Sequence, residues 1–356
     1  MQRSGQSANL DLLRTFAVLL VLLSHCIYAA GNLSWSGIGQ AGVLLFFVHT
    51  ALVLMFSLER LQAKREFIVT FYLHRFFRIY PLALCCMALC LAFRIPVSPR
   101  EEFQWWGWRW VALNVMFVQN LTIRVQSISG PLWSLCYEVQ MYLVLPFVFL
   151  VAIRKRGLWL VSALWIGSVR FTDRLEGYLN VLYGANWADS FHGPVTRFVP
   201  CFLSGALAFI LWRRPRAQFT PALLVPAIGL FVWLIVSQPI WHPEYVGCLA
   251  VGLLLPHLRE LTSTTVRHTA HYVAKYSYGC YLCHIPLMWV FFRHFASISA
   301  GTRWALYLGA VVTVSIASYH ILEAPAIEWG RRVATRVQMY RHDGSDNEPS
   351  LELHGG

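Results

Sequence analysis

Two ionisable residues, Arg14 and His25, lie in an apolar run near the start of the sequence. Such side chains are costly inside an apolar run, so each is a candidate for binding or catalysis. Eleven residues separate them, about three helical turns, which puts both on one face about 16 Å apart. An arginine can bind an anion, and a histidine can act as a general base. The structural alternative is an arginine that reaches the lipid headgroups and a buried histidine with its hydrogen bonds satisfied.

A second pair of cations, Arg75 and Arg78, precedes the apolar run that starts at Ile79. Guanidinium groups at positions i and i+3 of a helix are neighbours and can hold one multiply charged anion. A phosphate-bearing cofactor at the cytoplasmic mouth of the third helix fits this spacing. The alternative is an ordinary basic anchor that contacts lipid phosphates.

A carboxylate, Glu138, lies in a later apolar run, after Trp133 and Ser134 and before Tyr142. A carboxylate inside an apolar helix is expected to be paired or functional. Next to His25 it would fix the tautomer of the imidazole and raise its basicity, as a general base requires. The alternative is a structural glutamate that is hydrogen-bonded to Tyr142 or to a helix end.

The composition indicates the kind of scaffold that positions these residues. The chain has 356 residues, of which 57% are hydrophobic and only 13% are charged. A soluble domain carries about 25% charged residues, so this chain has too little charge to cover a water-facing surface. The formal net charge of +12 resides in short clusters between apolar runs. That pattern orients a membrane protein and argues against binding to nucleic acid.

The apolar runs predict an all-α membrane protein with about ten transmembrane helices. The runs are 12–30, 41–58, 79–93, 132–153, 158–169, 198–212, 221–236, 245–258, 276–295 and 304–322. A further run, 111–118, is interpreted as an interfacial or re-entrant helix before the fourth crossing. This interpretation keeps the cluster Arg154-Lys155-Arg156 inside, as the positive-inside rule requires.

The same rule predicts that both termini are cytoplasmic, in a multi-pass protein of the inner (plasma) membrane. Most lysines and arginines then fall in inner segments, and membrane lipids are the expected surroundings. We expect residues 9–332 to form one membrane domain and residues 333–356 to form a short, disordered cytoplasmic tail.

The cysteines raise the question of a metal or haem. All nine lie in or beside apolar runs, where cysteine usually packs as a small hydrophobe. Cys280-Tyr281-Leu282-Cys283-His284 has the spacing of a covalent haem attachment site. The predicted topology places it on the wrong side of the membrane for haem attachment, so we expect neither haem nor metal.

These motifs, taken together and in this order, resemble the acyltransferase-3 family of membrane acyltransferases. The resemblance rests on Arg14 and His25, on Arg75 and Arg78, on Trp133-Ser134-Leu135 with Glu138, on segments 42–48 and 276–286, and on Glu323-Ala324-Pro325. It runs from about residue 9 to residue 332. Two departures concern the second helix, where His49-Thr50 replaces a usual Ser-Gly pair and Leu44 replaces an acidic residue. We expect the membrane domain to stand alone, without the esterase-like domain fused to many relatives.

The resemblance implies transfer of an acyl group, most often acetyl, from cytoplasmic acyl-CoA to a hydroxyl of a cell-envelope or exported glycan. Arg75 and Arg78 would hold the CoA phosphates, Arg14 would orient the thioester, and His25 with Glu138 would activate the acceptor hydroxyl or carry the acyl group briefly. Candidate substrate contacts are Trp133, Ser134, Tyr142, His49 and His284.

Several alternatives stay open. The acceptor could be a small molecule or a lipid, and the polar loop 170–196 could bind a sugar or be an ordinary outer loop. A transporter or flippase would also place charges inside a helix bundle. That class predicts internal repeats and interrupted helices, neither of which the sequence shows.

Overall fold

The computed structural model describes residues 7–31, 36–64, 66–122, 126–183, 195–214 and 217–346. The described part of the chain is 81% helical and contains no β-strand, which confirms the predicted all-α fold. Twelve α-helices follow one another in this part of the chain, joined by short 3-10 and π turns. They are α1 Ala8–Ala29, α2 Ser36–Leu61, α3 Phe67–Ala92, α4 Trp108–Val115, α5 Leu132–Ala152, α6 Gly157–Tyr183, α7 Val199–Trp212, α8 Leu224–Ser237, α9 Pro243–Leu254, α10 Thr264–Trp289, α11 Ala300–Ser318 and α12 Ala324–Asp346.

Five helical stretches are long and apolar enough to cross a membrane. They are Ala8–Ala29, Gly37–Leu61, Phe67–Ala92, Leu132–Ala152 and Ala300–Gln338. Large apolar side chains face outward on α5 and α6, among them Phe147 and Trp159, which are 58% and 76% exposed. Such side chains are stable outside a bundle where lipid covers them. The structure therefore supports a multi-pass membrane protein, while ten crossings remain a prediction.

Helix α2 lies at the centre of the bundle. In its apolar stretch 89% of the residues are buried, against 33% for α1 and for α3. Small residues let its neighbours approach closely. A Cβ atom on Gly42 would lie 2.6 Å from the carbonyl oxygen of Ala17 on α1, and one on Gly205 of α7 would lie 2.3 Å from that of Val48. These contacts leave room for hydrogen only, so they fix α1 and α7 against α2.

The third helix begins earlier than predicted. The sequence analysis starts it at residue 79 and treats the preceding segment as polar, whereas α3 begins at Phe67. Residues 67–73 are apolar or aromatic apart from Thr70, so they extend the helix. Arg75 and Arg78 therefore lie inside α3, not at its mouth. Helices α6 and α10 are also longer than the runs 158–169 and 276–295 predicted.

Helix α4 is too short to cross a membrane, because eight residues span only about 12 Å. Side chains satisfy the irregular backbone around it. The side chain of Asn114 donates to the carbonyl of Gln126 and accepts from the N–H of Ile128, and Gln140 on α5 donates to the carbonyl of Phe117. Irregular backbone at membrane depth needs such bonds, so these contacts favour the re-entrant interpretation.

The last helix continues past the predicted domain boundary at residue 332. Helix α12 extends to Asp346, and Gln338 donates a 2.8 Å hydrogen bond to the hydroxyl of Thr70 on α3. The helix therefore covers residues 333–346 of the predicted tail, where good helix formers such as alanine, arginine and glutamine continue it, and disorder of the tail stays a prediction. Residues 347–356 lie outside the described part of the chain.

Candidate functional site

A cavity of about 730 Å³, partly open to solvent, lies between α1, α2, α3, α5 and α10. This volume includes the open mouth of the cavity. We name it the arginine cavity. Its polar lining residues are Arg14, His49, Thr50, Arg75, Arg78, Ser134, Glu138, Tyr142, Ser277, Tyr278 and Tyr281. The structure thus brings together seven of the ten predicted site residues, and Trp133, His25 and His284 do not line this cavity.

Arg78 is held by a carboxylate from the far end of the chain. Its Nη1 lies 2.9 Å from Oε2 of Glu323, whose side chain is fully buried. Glu323 ends the π turn that joins α11 to α12. The guanidinium also lies over the ring of Tyr278, whose hydroxyl donates to the carbonyl of Ile79. Arg78 is therefore a paired cation, and an ion pair of this kind is costly to break inside a bundle.

Arg14 and Arg75 have no carboxylate within salt-bridge distance in the described residues. The Nε of Arg14 donates a 2.6 Å hydrogen bond to the hydroxyl of Ser277 on α10. The Nε of Arg75 is buried without a hydrogen-bond partner, and its guanidinium lies 6.0 Å from the ring centroid of Phe71. Both guanidinium groups line the cavity, where they can meet an anion.

Glu138 contacts side chains of the arginine cavity. Its Oε1 accepts hydrogen bonds from the hydroxyls of Thr50, at 3.3 Å, and of Tyr142. Its charge also interacts electrostatically with Arg14 and Arg75. The structure therefore shows the Tyr142 contact that the sequence analysis kept as the structural alternative, and it does not show the predicted pairing of Glu138 with His25.

His25 contacts a second histidine. Its ring centroid lies 5.0 Å from that of His284 on α10, with the two planes inclined by 47°. The Nδ1 of His284 lies 2.8 Å from the carbonyl oxygen of Tyr281 and 3.2 Å from that of Cys280. Its Nε2 is buried and has no hydrogen-bond partner among the described residues. We name these two residues the histidine pair.

Tyr281 connects the arginine cavity to the histidine pair. Its hydroxyl lies 2.6 Å from that of Ser134, and both residues line the cavity. Its ring also lies 6.0 Å from the ring of His284. Tyr281 therefore contacts residues of both places.

Of the remaining predicted substrate contacts, His49 lines the cavity and Trp133 does not. His49 is 3% exposed, and its Nδ1 has no hydrogen-bond partner. The ring of Trp133 instead packs near those of Tyr137 and Phe198. Trp133 therefore belongs to the aromatic packing around α5 and not to the cavity wall.

The sequence analysis assigned no role to Thr50, Ser277, Tyr278, Tyr281 and Glu323. Glu323 follows directly on an apolar run, so the argument that singled out Glu138 would also have found it. The tyrosines and Ser277 gave no comparable signal, because uncharged polar side chains are common in membrane helices.

The predicted sugar-binding loop 170–196 is only partly described. In its described part, Asp173 bonds through Oδ1 to Nε2 of His242 at 2.7 Å, and Tyr178 is exposed. Residues 184–194 lie outside the described residues. Across the described ranges, no group of three or more His, Cys, Asp or Glu side chains could hold a metal ion.

The cavity has the electrostatics of an anion site. Three guanidinium groups and a single carboxylate line it, and the second carboxylate, Glu323, is committed to Arg78. Positive charge inside a bundle needs compensation, and here the protein supplies less negative charge than positive. An anionic ligand would neutralise the excess positive charge of the arginines.

Comparisons with known proteins agree with this geometry. The acyltransferase-3 family model, described as an acyltransferase domain, matches residues 7–320. The peptidoglycan O-acetyltransferase OatA of Listeria monocytogenes serovar 1/2a is 24% identical over 368 residues, which cover 89% of this chain and 55% of that protein. Nodulation protein 10 of Rhizobium leguminosarum bv. viciae is 23% identical, over 91% of this chain and 94% of its own length. The O-acetyltransferase OatA of Staphylococcus aureus (strain NCTC 8325 / PS 47) is 25% identical over 57% of this chain and 34% of that protein.

This chain thus spans about half the length of the Listeria relative and about a third of the Staphylococcus one. No solved structure matches it. The matched residues include the arginine cavity and the histidine pair. Glu323, the ion-pair partner of Arg78, lies just beyond them. The chain belongs to the acyltransferase-3 family, whose model is described as an acyltransferase domain.

Proposed function

We propose that this protein moves an acetyl group from cytoplasmic acetyl-CoA to a hydroxyl of a cell-envelope or exported glycan. The observation that carries the proposal is the arrangement along α1, where an anion-binding cavity at Arg14 lies about 16 Å from a histidine pair at His25. CoA carries phosphates at one end and the thioester at the other, and an extended pantetheine arm is long enough to join the two places.

The arginine cavity would bind the donor. Arg75 and Arg14 have no carboxylate in salt-bridge contact, so they are the groups that meet the CoA phosphates or the carbonyls of its arm. Arg78 contributes its charge from the ion pair with Glu323. We place the open end of this cavity toward the cytoplasm, with both termini on that side of the plasma membrane, because acyl-CoA is made there.

His25 would carry out the proton transfers. Its imidazole takes the proton of the acceptor hydroxyl while the oxygen attacks the thioester carbonyl carbon. The carbon–oxygen bond forms, the carbon–sulfur bond breaks, and the CoA thiolate leaves with the proton returned by the imidazolium. The products are an acetyl ester and free CoA, so atoms and charge balance. An acyl-histidine intermediate would instead retain label from acetyl-CoA in the absence of acceptor.

A glycan acceptor is supported by the name of one relative, because the Listeria protein is a peptidoglycan O-acetyltransferase. The name of the Staphylococcus relative, an O-acetyltransferase, supports transfer of acetyl to a hydroxyl. The histidine pair lies near the end of the bundle opposite Arg14, which in the proposed orientation is the outer half. An acceptor that reaches His25 from outside would then meet a donor that enters from inside.

The test measures free CoA released from acetyl-CoA by the purified protein in lipid nanodiscs, with envelope glycan from a deletion strain as acceptor. We expect His25→Ala to lower kcat about 10³-fold, because it removes the general base. His268→Ala is the matched control, since this exposed histidine lies on α10 away from both sites. Unchanged acetate on every envelope glycan of the deletion strain would overturn the glycan proposal, and absence of CoA release with the wild-type protein would overturn acetyl-CoA as donor.

A further inference from the structure

We propose that His284 is the positioning residue of His25, and that its Nε2 accepts the N–H of His25 during acyl transfer. This inference rests on the proposed role of His25 as the base. It gives His284 the orienting role that the sequence analysis gave to Glu138, and it replaces the expectation that His284 contacts substrate.

The tautomer of His284 follows from its contacts. Its Nδ1 lies 2.8 Å from the carbonyl oxygen of Tyr281 and 3.2 Å from that of Cys280. A carbonyl oxygen only accepts hydrogen bonds, so Nδ1 must carry the hydrogen. In the neutral imidazole that an apolar site favours, Nε2 then holds a lone pair. Nε2 of His284 is therefore a hydrogen-bond acceptor.

That acceptor lacks a donor within the bundle. His284 is 1% exposed, and its Nε2 has no hydrogen-bond partner in the described structure. A buried acceptor left without a donor costs about 1–3 kcal/mol, so a donor is expected nearby. The neighbouring ring is that of His25, whose centroid lies 5.0 Å away. Two imidazoles joined edge to edge by an N–H···N bond of ordinary length have centroids about 5 Å apart. A rotation of the inclined His25 ring completes the bond.

The scaffold around His284 is firmly held. Tyr281, whose carbonyl fixes Nδ1, is anchored by its hydroxyl to Ser134 on α5. Pro286 has no N–H for the carbonyl of Leu282, and that carbonyl accepts from the thiol of Cys86 on α3 instead. This part of α10 is thus tied to two other helices. His284 can hold a fixed orientation and impose it on His25.

The consequence is a defined tautomer for the base. When one ring nitrogen of His25 donates to His284, the other carries the lone pair that removes the acceptor proton. A buried carboxylate often performs this orienting task in hydrolases. Here a neutral imidazole does so, and no additional charge is buried beside the reacting atoms.

The test compares His284→Leu, His284→Gln and Ile285→Val for CoA release in nanodiscs, with acetyl-CoA and deletion-strain glycan as substrates. We expect His284→Leu to lower kcat about 10²-fold with an unchanged KM for acetyl-CoA, because only the orientation of the base is lost. His284→Gln is expected to keep kcat within about tenfold of wild type, since its amide oxygen can accept from His25. Ile285→Val, a buried neighbour without a polar group, is the packing control and should match wild type.

A double-mutant cycle shows whether His284 acts through His25. With alanine at position 25, His284→Leu is expected to have no further effect on the residual rate. Equal losses in both backgrounds would overturn the inference, as would a raised KM, an inactive His284→Gln variant that folds, or a fully active His284→Leu variant. The melting temperature of each variant separates misfolding from lost orientation. A wild-type protein that releases no CoA contradicts the proposed function instead. In that case the ¹⁵N shifts of labelled histidines still test His284, because the inference requires a proton on Nδ1 and a hydrogen-bonded Nε2.

Discussion

The arginine cavity and the histidine pair share helices α1 and α10 but are built in opposite ways. In the cavity, charges are compensated by other charges and by hydroxyls, as in the pairs Arg78–Glu323 and Arg14–Ser277. In the histidine pair, two imidazoles meet without a carboxylate, and one buried nitrogen lacks a partner. One place is equipped to hold an anion, and the other is equipped to move a proton.

The two places share one scaffold. Arg14 and His25 are eleven residues apart on α1, and Ser277 and His284 are seven residues apart on α10. Arg14 contacts Ser277, and about three turns further along α1 His25 contacts His284, which lies about two turns beyond Ser277 on α10. Because α1 and α10 pack along their lengths, a shift between them would disturb both places together.

The largest effect on stability is expected from Glu138→Gln, which distinguishes the arginine cavity from the histidine pair. The variant leaves Arg14 and Arg75 with less compensation and weakens the bonds from Tyr142 and Thr50. We expect a loss of about 3 kcal/mol in stability, seen as a lower melting temperature. Added CoA should restore stability more than in wild type, because its phosphates replace the missing charge. The kcat should stay within about tenfold, since His25 is untouched.

The control for this experiment is Tyr142→Phe, which removes a hydroxyl but keeps the carboxylate charge. Its melting temperature should fall less, and its response to CoA should equal that of wild type. If Glu138→Gln lowered kcat 100-fold or more at unchanged stability, Glu138 would act on His25 as the sequence suggested, and the division into two places would fail.

A smaller effect is expected from Gly42→Ala, which disturbs the scaffold between the two places. The new Cβ would lie 2.6 Å from the carbonyl oxygen of Ala17 and 2.8 Å from Cγ2 of Val21, both on α1 between Arg14 and His25. Overpacking of this kind costs about 2 kcal/mol. Because α1 moves as a unit, we expect kcat to fall and the KM for acetyl-CoA to rise together.

Gly229→Ala on α8 is the matched control, because nothing lies within 4 Å of its added Cβ. Alanine favours the helix over glycine by up to about 1 kcal/mol, so this variant should be as stable as wild type or slightly more stable. Equal melting temperatures for Gly42→Ala and Gly229→Ala would show that α1 can move away from α2 without cost.

The sequence predicted the helical fold and most of the arginine cavity, because charged residues are rare within apolar runs and are easily recognised there. Arg14, Arg75, Arg78 and Glu138 each interrupt an apolar stretch, and the structure places all four around one cavity. Their pairing was less predictable, since depth along a helix does not say which way a side chain points. Glu138 contacts Tyr142 and Thr50 in the arginine cavity and makes no contact with His25 in the described structure.

The histidine pair, in contrast, could not be predicted from the sequence. The site role of His284 came only from a resemblance, and nothing in its spacing linked it to His25, some 260 residues earlier in the chain. That contact depends on how α1 packs against α10, a tertiary property without a periodic signal. The start of α3 was missed for a related reason, because Arg75 and Arg78 made an apolar segment look like a polar connection.

The smallest effect is expected from Glu176→Gln, which tests whether an acidic cluster far from both places matters for either. Glu176 lies on α6 beyond the predicted fifth crossing, 3.8 Å from the Nε of Arg197. Burial raises the pKa of its carboxyl, with Glu244 and Asp173 adding to the rise, while Arg197 and His242 oppose it. The folded state therefore favours the protonated form. The stability that this preference contributes is present below the ordinary carboxyl pKa and is lost as the pH rises through the raised value.

Glutamine does not ionise, so it avoids the loss of stability that the Glu176 carboxyl causes at high pH. The melting temperature of the variant should therefore be about 1 °C above that of wild type at pH 8 and equal to it at pH 4. The kcat and the KM should be unchanged at both values, because no residue of this cluster lines the cavity. Glu328→Gln, at a half-exposed carboxylate on α12, is the control and should show no pH-dependent difference of this sign. A change in kcat for Glu176→Gln would show that this cluster contributes to catalysis, in addition to the arginine cavity and the histidine pair.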